Sequence, residues 1–180
     1  MNPLPLPLPL PQIEPYQTRI LCMTSMLFYL PTIYMIYKRS HKYQIKHQIN
    51  NTVGQTLGIL SCITGTCSIL YWHDQNHDSW RYHLDLFMAK FTGVVFFING
   101  HMYILIPYKR YIAYILSVSV IGSYYLSNSW YLEGSSIWYL WHGLMHISTN
   151  IGCIHILQSV YNNSPLSISF VKNEDKIKTI

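Results

Sequence analysis

TVGQTLGILSCITGTCSILYW, residues 52–72, runs for 21 positions without a charged side chain. A helix rising 1.5 Å per residue needs roughly 17 to 25 predominantly apolar residues to cross about 30 Å of hydrocarbon, and this run has that length. Ile20 to Tyr37 reads the same way. Working outward, Leu84 to about Pro107, Tyr111 to Ser127 and Ile137 to Val160 complete a set of five expected transmembrane helices, the third of them carrying Asp85, Lys90 and His101.

Composition agrees with that reading. Half of the 180 residues are hydrophobic and 11% are charged, too few charges to clothe a soluble globule of this size. Irregular backbone facing lipid loses its hydrogen bonds, and the alternating ten-residue pattern of a barrel is absent, so helices are the expected form. The fold class is all-α, an integral membrane helical bundle. Residues 1–19 form an expected tail that opens with PLPLPLPLP (3–11), a repeat that excludes helix and favours extended polyproline II. Residues 161–180 form a polar C-terminal tail. Pro31 lies inside the first span, where it removes a backbone donor and is expected to kink the helix.

The formal net charge of +5 does not mark a nucleic-acid surface, because the basic residues fall in loops rather than on one helical face. There they report orientation. Lys38, Arg39, Lys42 and Lys46 crowd the first loop, and Lys109 and Arg110 mark the third, so both are expected on the cytoplasmic side. The N-terminus is then outside or lumenal and the C-terminus cytoplasmic. Trp130, Tyr131, Trp138, Tyr139 and Trp141 form an aromatic belt at the outer interface. Cys22, Cys62, Cys67 and Cys153 all fall within expected spans and read as small packing residues, not as a disulfide framework.

Ionisable groups inside membrane helices are costly and tend to face a protein interior or a watery cavity. The topology brings Ser68, His73, His77, Asp85, His142 and His146 to one depth near the outer face. In WHGLMH (141–146), positions i and i+4 share a helix face, so His142 and His146 can direct two imidazoles at one point, the way a helix supplies two ligands to a metal. A third imidazole from the end of the second span would give a tetrahedral zinc ion with one position open for water, whose pKa such an ion lowers to about 7. Asp85 would then position or deprotonate the water, and Ser68 would polarise a substrate carbonyl. The plain alternative is that interfacial histidines hydrogen-bond to their neighbours and that Asp85 pairs with Arg81 one helical turn earlier.

The order of these residues in SILYWHDQNHDSWRYHLDLF (68–87) and WHGLMH resembles the CREST superfamily of membrane hydrolases, which includes alkaline ceramidases, progestin and adipoQ receptors and Per1-like proteins. The resemblance implies a seven-helix core with one zinc ion bound by three histidines, here His73, His142 and His146, with Asp85 and Ser68 as catalytic residues. It implies hydrolysis of a lipid amide or ester that enters from the membrane. Two features depart from the family. Ser68 lies five residues before His73 where the family places four, a rotation of about 500° on a regular helix. A π-bulge would bring the two to one face; otherwise His77 is the nearest third ligand. The chain also has five expected spans instead of seven. The competing expectation is a non-catalytic, receptor-like or structural membrane protein whose polar cluster only bonds helices together. A haem or di-iron oxidoreductase is less well served, since di-iron membrane enzymes need several histidine boxes on one side.

Overall fold

In the computed structural model the described residues are 13–40, 48–74 and 79–162. The PLPLPLPLP tail, His41, Lys42, Lys46 and His47 of the first loop, His77 and the closing NEDKIKTI lie outside them. The described chain is helical and has no strand. Its elements are α1 (Pro15–Met26), α2 (Tyr29–Ser40), α3 (Gln48–Asp74), α4 (Trp80–Tyr103), α5 (Pro107–Leu132) and α6 (Trp138–Asn162). Among the described residues two stretches are long and apolar enough to cross a membrane: Pro15–Ser40, which joins α1 to α2 across a short break, and Asn50–His73 within α3.

The break at Leu27 and Phe28 follows from Pro31, which has no N–H for the Leu27 carbonyl four residues back. Leu30 N–H bonds to that carbonyl instead, at 2.9 Å. The Phe28 carbonyl accepts from Ser61 Oγ of α3 at 2.8 Å, while Thr32 Oγ1 donates back to the Gly58 carbonyl at 2.7 Å. The kink is therefore stitched to its neighbour.

Pro107 does not end the third long helix, as the sequence suggested, but opens the next. α4 stops at Tyr103, and Pro107 sits in the first turn of α5, where its missing N–H costs nothing. Arg110 of that turn donates through Nε and a terminal nitrogen to the Ile104 carbonyl, at 3.1 and 2.9 Å. Between α5 and α6, Gly134 adopts a left-handed φ of 73°. Ser135 N–H reaches the Trp130 carbonyl at 2.9 Å and Gly134 N–H the Tyr131 carbonyl at 3.1 Å, a Schellman ending that reverses the chain.

α3 is the central rod, packed on α1, α2, α4 and α6. It presents a stripe of small residues, Gly54, Gly58, Ser61, Gly65 and Ser68, at alternating spacings of four and three. A Cβ on Gly65 would lie 2.7 Å from Phe28 Cβ, and one on Gly54 2.5 Å from the Tyr161 hydroxyl. Small side chains are what let these backbones approach. α5 lies along α6 and barely touches α4.

The distribution of polarity is inside out. Ser25, Ser61, Thr64, Ser68, Thr92, Ser123, Ser127, Ser148 and Asn150 are buried, whereas Ile33, Ile63, Phe87, Phe97, Ile115, Val118, Leu140 and Ile147 are exposed. All four cysteines are free thiols.

Candidate functional site

Four of the five residues singled out in the sequence come together at the end of the bundle that carries Trp138. Ser68 is buried on the small-residue face of α3, and its hydroxyl hydrogen-bonds to Asp85, which stands in the second turn of α4. Ser68 Oγ is also 3.0 Å from Ser25 Oγ of α1. Ser25 Oγ in turn lies 3.4 Å from His146 Nδ1, and Thr24 Oγ1 lies 3.1 Å from the same nitrogen. His142 stacks edge-on against His146, ring centroids 4.9 Å apart, and its Nδ1 is 3.3 Å from Ser127 Oγ of α5. One cluster thus draws on α1, α3, α4, α5 and α6.

His73, expected as the third ligand, is not in it. Its side chain is exposed. The physical reason is helical register. α3 is α-helical from Gln48 to Asp74, without the π-bulge that would have realigned the pair, so the residue one turn beyond Ser68 on the same face is Trp72. Trp72 is buried and sets its ring edge-on to His142, with centroids 5.0 Å apart. It also packs against Trp138 at 6.0 Å. His77, the other candidate, lies outside the described residues.

Among the described residues the cluster therefore holds two of the three expected histidines, His142 and His146. Zinc takes lone pairs from imidazole, thiolate or carboxylate, and an indole at the third position supplies none. Among the described residues no group of three or more histidine, cysteine, aspartate or glutamate side chains is arranged to hold a metal. The indole Nε1 of Trp72 is buried and has no hydrogen-bond partner among the described residues.

Sequence reasoning passed over Thr24, Ser25, Trp72 and Ser127. Serine and threonine within an apolar helix routinely bond back to a carbonyl of their own helix, and Thr24 and Ser25 both do so, to Leu21 at 3.0 and 2.8 Å. Such residues carry no outward sign of a second partner. Trp72 was legible: it lies four residues after Ser68, the spacing at which the family has histidine.

The chain matches no family model, no curated protein and no solved structure in the comparisons made with each.

Proposed function

We propose that the chain is a multi-pass membrane protein of about five spans, receptor-like or structural, whose buried polar cluster bonds its helices together without the three-histidine zinc centre of the family its motifs resemble. The observation that carries this is the inward Trp72 with His73 turned out. The inside-out polarity supports placing all five rods in lipid. α4, α5 and α6 have 24, 26 and 25 residues, enough to span. Loop charges favour an outer N-terminus and a cytoplasmic C-terminus, with the cluster toward the outer face. A glycan on the sequon at Asn162 would reverse that orientation.

A second reading is favoured by the convergence of Ser68, Asp85, His142 and His146. In it, the chain is a zinc-dependent hydrolase of a lipid amide or ester, with His142 and His146 as two of the metal's ligands. One measurement separates the readings: the metal content of the full chain purified in detergent, beside the variant His142→Ala/His146→Ala. No zinc in either agrees with the first reading. About one zinc per chain, lost in the variant, would sink it and carry the second. Trp72→His supplies the missing imidazole on the correct face, and on the first reading it gains zinc that the native chain does not hold.

A further inference from the structure

α1 carries none of the motif residues, yet it makes the closest polar contacts of His146. Thr24 Oγ1 and Ser25 Oγ lie 3.1 and 3.4 Å from Nδ1. Each hydroxyl has a single proton, and each is within donating distance of the Leu21 carbonyl, at 3.0 and 2.8 Å. A hydroxyl whose proton is committed to a carbonyl meets a ring nitrogen only as an acceptor. The nitrogen must then bring the hydrogen. The tautomer of a neutral imidazole is set by the bond its other nitrogen makes, and here two acceptors converge on one edge of the ring. His146 is 3% exposed, so water does not compete for that edge.

We propose that Thr24 and Ser25 are positioning residues that hold His146 as its Nδ1–H tautomer. Nε2, across the ring from α1, carries the lone pair and acts only as an acceptor or ligand. The neutral histidine side chain in water prefers the opposite tautomer, with the proton on Nε2, so α1 inverts the ordinary preference. The dipeptide also couples the site to the kink. Phe28, at the break three residues beyond Ser25, packs its ring edge against His146 with centroids 5.5 Å apart, so the break that Pro31 enforces sets the height at which both hydroxyls meet the imidazole. This goes beyond the helix-bonding reading above, whose own test is metal content, so either can fail without the other.

The test is nitrogen NMR of the full chain in lipid bilayers with isotope-labelled histidine, which reports directly which ring nitrogen bears hydrogen. The signals of His146 are those lost in His146→Gln. In the native chain its proton is expected on Nδ1. In Thr24→Val/Ser25→Ala the acceptors are gone and the proton is expected on Nε2 in most molecules. A merely structural contribution of α1 would alter stability without moving the proton. If the double variant does not fold, Thr24→Val and Ser25→Ala singly are each expected to shift part of the population. A native His146 protonated at Nε2, or an Nδ1 proton unmoved by the substitutions, overturns the proposal.

Discussion

The two ends of the bundle are built between the same helices by different means. Toward Tyr161, α3, α4 and α6 meet through Leu57, Phe96, Tyr103, Cys153, Ile156, Leu157 and Val160. There the fit is one of shape: a Cβ on Gly100 of α4 would stand 3.2 Å from Ile156 of α6. Toward Trp138 the same three helices meet through Ser68, Asp85 and His146, with Ser25 of α1 between them, and the fit is one of hydrogen-bond direction. Lipid tails are as apolar as leucine, so in a bilayer neither end draws on a hydrophobic force between helices. Packing contacts hold one end; at the other, hydrogen bonds are added to a ring cluster of Leu21, Tyr71, Trp72 and Trp138.

Leu157→Ala breaks the apolar end hardest. Leu157 is fully buried, and its truncation leaves a cavity expected to cost about 2 to 5 kcal/mol, read as a large fall in unfolding temperature in detergent. A negligible change would mean that this end is not close-packed. Gly65→Val strikes the junction of the two ends. Its Cβ would lie 2.7 Å from Phe28 Cβ and 3.3 Å from the Ser25 carbonyl, so the backbone at the kink must move, at about 1 to 3 kcal/mol. It should also part Ser25 from Ser68, which would appear as disturbed His146 resonances; an unchanged spectrum would show the kink to be independent of the cluster. Thr64→Val removes one interhelical hydrogen bond, the 2.6 Å contact with Thr92 of α4, at nearly constant volume. Bonds of this kind in membranes contribute about 0.6 kcal/mol, so the fall should be far smaller than for Leu157→Ala. Equal falls would erase the distinction between the two modes. The smallest effect belongs to His73→Ala. An exposed side chain outside the cluster should change stability by less than about 0.5 kcal/mol and leave metal content as it was. A loss as large as that of His146→Ala would return His73 to the site.

Particular residues mark how far the sequence could be read. The uncharged run 52–72 announced α3, because hydrocarbon admits only a backbone that satisfies itself, and such a helix has a minimum length. Pro31 announced a kink, since a missing donor is a covalent fact. WHGLMH announced two imidazoles on one face, and residues 142 and 146 do lie ring against ring. At the end of α3 the residue on the inward face is Trp72, and the expected ligand His73 is exposed. A motif counts residues in order, whereas a helix turns about 100° with each, so the single step from Trp72 to His73 separates a buried ring from an exposed one. Thr24 and Ser25 were not legible as site residues at all, since their second partners belong to a helix more than a hundred positions away.

What the sequence determined by itself was local: where helices form, where proline interrupts them, and which residues share a turn. Those follow from covalent geometry and from the spacing of apolar side chains. Tertiary structure alone decided which faces turn inward. That choice put Trp72 where a third histidine would have stood and placed two hydroxyls of α1 against His146. The rotation of a helix in a bundle is set by the neighbours its small-residue face can approach, and α3 packs on α1, α2, α4 and α6, with Gly54, Gly58 and Gly65 at close approaches to Tyr161, Met35 and Phe28.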